Sequence, residues 1–163
     1  MFKRQSTILL VTVGVVQWLA NSNCNQLQPK FHSLAFIHRH GDRTPINPPK
    51  SDPLTANVST EWPDGLGQLT LAGKRRMYNL GLYLREKYQS QLSFSPREIA
   101  ILSSGFDRCI ESAMMVSSGM YRPTGRWIWQ SRIDWQPLIV RIDDMVSSEI
   151  KNALITLVIR VTR

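Results

Sequence analysis

An α/β protein built on a parallel-type sheet is what this sequence predicts, on three observations. Two short apolar runs, Leu34-Ala35-Phe36-Ile37 and Glu98-Ile99-Ala100-Ile101-Leu102, lack polar alternation, as strands buried on both faces do. Each run precedes a helical pattern, and strand, loop, helix, strand, helix is the order of a parallel layer. The chain breakers fall between these segments: prolines and glycines crowd residues 42–69, Ser103-Ser104-Gly105 follows the second run, and Pro123 closes the last helix.

Taken in order, the chain opens on what reads as an address. Lys3 and Arg4 precede an apolar stretch from Thr7 to Ala20, with small residues at Ala20 and Ser22, so residues 1–22 are expected to be a signal peptide. That stretch is shorter than the roughly 20 residues needed to cross a bilayer, and no later segment reads as a stable membrane span. A polar stretch, Asn23 to Lys30, leads into the first strand. Residues 42–69 form a long loop holding Pro45, Pro48, Pro49, Pro53 and Pro63, and long loops in compact domains are usually functional. Thr70 can cap a helix running to about Gln89, with Met77, Leu80, Leu84 and Tyr88 on one face. Gly73 and Gly81 weaken that helix by about 1 kcal/mol each relative to alanine, which predicts close packing there. After the second strand, a helix over 107–120 is expected to turn Ile110, Ala113 and Met114 inward. From Leu138 to Arg163 there is neither glycine nor proline, and Ala153 to Ile159 is an apolar, β-prone run that is a liability unless other strands cover it.

The composition bounds the possibilities. At 163 residues there is room for one domain, and 42% hydrophobic with 20% charged residues is globular rather than disordered. The net charge of +8 and pI of about 10.0 point to an anionic partner. The basic residues are scattered, the longest run being Lys74-Arg75-Arg76, and no aromatic–basic interleaving makes a nucleic-acid platform. That argues against a nucleic acid and leaves a membrane surface or an anionic small substrate. Cys24 and Cys109 allow one bridge, although Cys109 reads more simply as a buried helical residue. The sequon Asn57-Val58-Ser59 marks Asn57 as a candidate glycosylation site.

One segment carries chemistry. Phosphoryl transfer needs a nucleophile, cationic donors for the phosphate oxygens and an acid for the leaving alcohol. In Arg39-His40-Gly41-Asp42-Arg43-Thr44-Pro45, His40 can be the nucleophile, and the planar forks of Arg39 and Arg43 suit phosphate oxygens. Gly41 lets the backbone approach an anion, and Pro45 stiffens the loop's exit. The segment follows a buried strand, at the carboxyl edge where open α/β sheets place ligands. Arg108 follows the second strand near a helix N-terminus and can close a clamp from the side. The competing readings are a metal held by His38 and His40, which two flanking arginines would repel, and a plain ion pair of Arg108 with Asp107 or Glu111. His38 is expected to be structural, and His32 has no evident partner.

The segment Arg39 to Pro45 resembles the signature of the histidine phosphatase superfamily, in its acid phosphatase and phytase branch. The likeness continues through Trp62-Pro63-Asp64-Gly65-Leu66-Gly67-Gln68-Leu69-Thr70, through Ser103-Ser104-Gly105-Phe106-Asp107-Arg108-Cys109, and through Tyr121-Arg122-Pro123 to Trp129. Together these are similar to the prostatic, lysosomal and venom acid phosphatases. The resemblance implies a three-layer α/β sandwich of the phosphoglycerate mutase-like kind, incomplete in this chain. It implies a phosphorylated His40, with Arg39, Arg43 and Arg108 catalytic and phosphate-binding. It also implies phosphate monoester substrates, no cofactor and no metal, and a secreted or lysosomal protein; a homodimer is a further expectation. The family's proton donor is a downstream His-Asp pair, whereas the three histidines here all lie at or before position 40. Residues 23–137 therefore read as the N-terminal part of the domain and 138–163 as a divergent tail, in a chain of weak or no activity. The alternative is a secreted, non-catalytic phosphate-binding protein.

Overall fold

The computed structural model describes residues 33–53 and 57–142, and the backbone of a further strand at 154–160. The two apolar runs form strands β1 (Ser33–Arg39) and β2 (Ile99–Ser103). Two more strands, β3 (Val140–Ile142) and β4 (Leu154–Arg160), complete one sheet in the order β1-β4-β2-β3. β2 pairs with β3 in parallel, while β4 runs antiparallel to both β1 and β2. β1 and β2 therefore point the same way, two positions apart, and their carboxyl ends emerge at one edge of the sheet.

The helices are α1 (Val58–Glu61), a single turn in the long loop, α2 (Leu71–Tyr88) and α3 (Asp107–Met120), with a 3-10 turn at Gly125–Trp127. α2 begins where its cap predicts: the Thr70 hydroxyl accepts from the Gly73 amide at 3.0 Å. Its inward face holds Met77 and Leu84, with Leu80 and Tyr88 against the same core. α3 differs from expectation. Its buried side is Cys109, Ala113, Val116 and Met120, and Met114 is 39% exposed. The reason is contact with α2, which has to bring Val116 and Gly119 inward. A Cβ on Gly81 would stand 2.1 Å from the Val116 carbonyl oxygen, and one on Gly119 2.3 Å from that of Tyr78. The two helices thus touch backbone to backbone, a closeness that only glycine permits.

Both long helices lie on one face of the sheet. Leu34, Phe36 and Ile101 meet Met77, Val116 and Met120 in that core, and the Phe36 ring packs edge-on against Tyr88 at 5.4 Å. The burial of β1 alternates accordingly: Leu34, Phe36 and His38 are buried, while Ile37 is 38% exposed. A continuous apolar run predicts burial on both faces, but among the described residues no layer covers the second face. The apolar tail run, by contrast, does find neighbours. β4 forms ladders from Ser33↔Arg160 to Arg39↔Leu154 on one side and from Ile99↔Ile159 to Ser103↔Ile155 on the other.

Cys109 is a fully buried free thiol, and burial pushes its pKa up. Cys24, His32 and the leader over 1–22 lie outside the described residues. Among the described residues no helix is long and apolar enough to cross a membrane.

Candidate active site

The carboxyl end of β1 releases the chain into His40 and then into a loop whose two ends are stitched together. The Thr44 amide donates to the Gln68 carbonyl at 2.9 Å, and Gly67 donates to Pro45 at 2.8 Å. The Thr44 hydroxyl, itself buried, donates to the Gly65 carbonyl at 2.9 Å and accepts from the Gln68 amide at 3.0 Å. Gly65 and Gly67 have φ of 92° and 74°, the left-handed region where side chains are strained. The Asp42 carbonyl accepts from both the amide (2.9 Å) and the hydroxyl (3.0 Å) of Thr70. These bonds fix the turn after His40 to the first turn of α2.

Gly41 packs directly against α2. It is buried, and a Cβ there would stand 2.8 Å from the Gly73 carbonyl oxygen. The close approach of α2 by itself requires glycine here. Gly73 is the other half of this contact, since its own Cβ would meet the Asp42 oxygen at 2.2 Å.

The His40 ring is oriented by its neighbour. Nδ1 lies 2.7 Å from the Gly41 carbonyl oxygen, and because a carbonyl can only accept, Nδ1 carries the proton. In the neutral ring this leaves the lone pair on Nε2. Burial lowers the His40 pKa, the Gly41 bond opposes that, and the charges of Arg108, Arg39 and Arg43 lower it further. All four sequence-predicted residues are thus drawn to one place. Arg43 donates to the Thr44 carbonyl at 2.8 Å, and its own pKa falls through burial and the charges of Arg108 and Arg39.

Arg108 is held in the first turn of α3 with its guanidinium 4.3 Å over the Phe106 ring, and its Nε is buried without a hydrogen-bond partner. The alternative pairing with Asp107 or Glu111 is not made: Glu111 pairs with Lys74 at 3.5 Å. None of the ion pairs among the described residues involves Arg39, Arg43 or Arg108; Asp42 turns instead to Arg76, at 2.7 Å. Three guanidiniums that pair with no carboxylate among the described residues, gathered around an imidazole whose pKa is lowered, make a site suited to a phosphate.

Ser112 is a residue that motif reasoning passes over. Fully buried, its hydroxyl accepts from the Gly41 amide at 3.0 Å and donates to the Arg108 carbonyl at 2.6 Å. It therefore ties the loop after His40 to the turn that carries Arg108. The available signal was spacing, because Ser112 stands one helical turn after Arg108. His38 is buried on the helix side of β1, with Nδ1 2.8 Å from the Arg39 carbonyl. That position accords with a structural role.

The description of the histidine phosphatase superfamily (branch 2) matches residues 30–157, a span that includes His40, Arg108 and part of β4. The chain belongs to that superfamily. Mouse prostatic acid phosphatase is 41% identical over 113 residues, covering 68% of this chain and 28% of the relative. Human lysosomal acid phosphatase is 35% identical over 133 residues, covering 78% and 31%. Bovine prostatic acid phosphatase is 30% identical over 139 residues, covering 84% and 35%. The chain thus spans about a third of the length of these curated relatives.

For this histidine phosphatase chain the two lowered histidine pKa values give a pH prediction. Burial is the largest cause for both His38 and His40. Where a folded-state pKa lies below the unfolded value of about 6.5, the unfolded chain binds more protons in the window between them. The stability these groups contribute is complete above that window and is lost as pH falls through it. Ring resonances of His38 and His40 should titrate with midpoints below 6.5 in NMR spectra, and the melting temperature should fall on acidification. Midpoints at or above that value would overturn the assignment.

Proposed function

We propose that this chain is the nucleophile-bearing, phosphate-binding part of an acid phosphatase that hydrolyses phosphate monoesters through a phosphohistidine at His40. The observation that carries this reading is the His40 ring itself: Nδ1 is committed to the Gly41 carbonyl, and the ring lies within the field of Arg39, Arg43 and Arg108. Nε2 attacks phosphorus, forming an N–P bond as the P–O bond to the alcohol breaks. The departing oxygen takes a proton from a general acid, and water then cleaves the N–P bond to release phosphate. The three arginines hold the non-bridging oxygens, whose charge is stabilised best where little water competes. A lowered His40 pKa suits acid conditions, because only the unprotonated ring can attack.

The proton donor implied by the family resemblance, a His-Asp pair, has no counterpart in this sequence, whose histidines are His32, His38 and His40. A positioned general acid contributes typically 10²–10⁴-fold. We therefore expect the 163-residue chain, assayed alone on an aryl phosphate at acid pH, to turn over slower by about that factor than an enzyme with its acid in place. His40→Ala should remove the remaining rate. A fast rate lost in His40→Ala would sink the expectation of weak activity, and any rate that survives His40→Ala would sink the phosphohistidine.

Arg39, Arg43 and Arg108, which form no ion pair among the described residues, also fit a second reading, a non-catalytic phosphate-binding protein. Binding of inorganic phosphate by calorimetry, with no phosphohistidine trapped on acid quench, would select it. Residues 1–22 as a signal peptide, 23–137 as the phosphatase part, 138–163 as a divergent tail and a glycan on Asn57 complete the proposal. Asn57 is exposed at the start of α1, within reach of a glycosylating enzyme. Lysosomal and prostatic acid phosphatases among the relatives support a secretory-pathway address.

A further inference from the structure

β1 and β2 carry the two halves of the site, yet β4 lies between them, its residues 155–159 pairing with both. We infer that β4 is a positioning element for the phosphate site, setting the separation and level of the strands that present His40 and Arg108; this rests on reading those residues as phosphate ligands. The register states the case. His38 of β1 and Ser103 of β2 both stand opposite Ile155, and Arg39, the residue before the nucleophile, stands opposite Leu154. Ile155 thus holds the ends of both strands level at the site's edge, and Leu154 extends the ladder to Arg39.

Separation follows from the same ladders. Strands two positions apart in a sheet lie about 10 Å from each other, twice the spacing of neighbours. Without β4, β1 and β2 either close up to direct neighbours, which halves that distance, or lose their ladders. Either change moves His40 relative to Arg108. The bonds of Ser112 to Gly41 and Arg108 join the two loops above the sheet, but they do not fix the strands beneath. Because β4 is antiparallel to both partners, the two carboxyl ends stay on one edge, so a strand of reversed direction serves as spacer without disturbing the site's polarity.

The experiment uses the full chain with Cys24→Ser, in which Cys109 remains as a buried thiol. Thr156 stands opposite Ile37 on one side and Leu102 on the other. Directly opposed residues of antiparallel strands have Cα atoms roughly 4.5–5.5 Å apart, within disulfide range. Both I37C/T156C and L102C/T156C should therefore form intramolecular disulfides on oxidation, and each bridged protein should bind inorganic phosphate within about twofold of its parent. Leu157, opposite Phe36 and Ile101, lies mid-strand, where proline removes a ladder bond. Leu157→Pro should weaken phosphate binding by tenfold or more while Cys109 stays unreactive to a thiol reagent, showing the helix layer intact. Failure of either bridge, bridges that form only between chains, or unchanged phosphate binding in Leu157→Pro would overturn the inference. If the parent chain itself binds no phosphate, the phosphate-site reading fails, and the two bridges still decide where β4 lies.

Discussion

Gly73→Ala is expected to destabilise the chain by about 3 kcal/mol or more, the upper end for an overpacked site, and to weaken phosphate binding in the molecules that remain folded. The added methyl would stand 2.2 Å from the Asp42 carbonyl oxygen, 2.8 Å from the Asp42 amide nitrogen and 3.0 Å from the Leu69 side chain. Two of these three neighbours are backbone, so no change of rotamer relieves the clash. The Asp42 oxygen also accepts the amide and hydroxyl bonds of Thr70, and displacing it breaks the connection between the His40 loop and the cap of α2. Either α2 retreats from the sheet or the loop shifts, and the loop begins at His40. Gly125→Ala is the contrasting control. It has a φ of 54° but open space around it, so only left-handed strain of about 1–2 kcal/mol applies. Urea unfolding of both variants, with and without phosphate, separates the cases. A Gly73→Ala protein as stable as its parent would show that α2 does not buttress the loop as described.

How far the sequence revealed this arrangement depends on the range of the interactions involved. The Thr70 cap, the extent of α2 and the strands β1 and β2 are set by neighbours within a few residues, so periodicity and capping chemistry expose them. The glycines of α2 could be read as a packing signal because their helical cost needs a reason, and Val116 and Asp42 supply it. The inward face of α3 was less legible. Its apolar residues surround the helix, and Met114 and Cys109 are equally good candidates until the contact with Gly81 chooses between them. Sheet order was beyond local reasoning altogether, because the partner that separates β1 from β2 comes from more than fifty residues beyond β2. A continuous apolar strand was likewise ambiguous, since its composition suits a doubly covered sheet and only the layering decides what covers it. At the site, residue types pointed to the histidine and its arginines, whereas Ser112, a common residue with no charge, becomes visible only through what it bonds to.

Arg108→Ala should lower the affinity for inorganic phosphate by on the order of 10- to 100-fold, the range of a lost hydrogen bond to a charged group. Arg108 is expected to matter more than Arg39 for structural reasons. Its Nε is buried without a partner, so the cost of removing it from water is already incurred and a bound oxyanion recovers it. Its guanidinium rests on the Phe106 ring, which leaves less side-chain freedom to be lost on binding, and Ser112 fixes its backbone carbonyl. Arg39 is exposed and gives up solvation on binding that the Nε of Arg108 has already lost. Arg108→Lys keeps the charge without the planar fork and should fall between the parent and the alanine variant. The same substitutions have a second readout. Arg108 is the foremost of the three charges that hold the His40 pKa down, so its removal should raise the His40 midpoint toward the ordinary histidine value, and Arg39→Ala should raise it less. Calorimetry with phosphate and NMR titration of the ring test both effects on one sample. A variant that loses affinity while His40 titrates unchanged would place Arg108 too far from His40 to share its ligand, and the clamp would then have to be drawn without it.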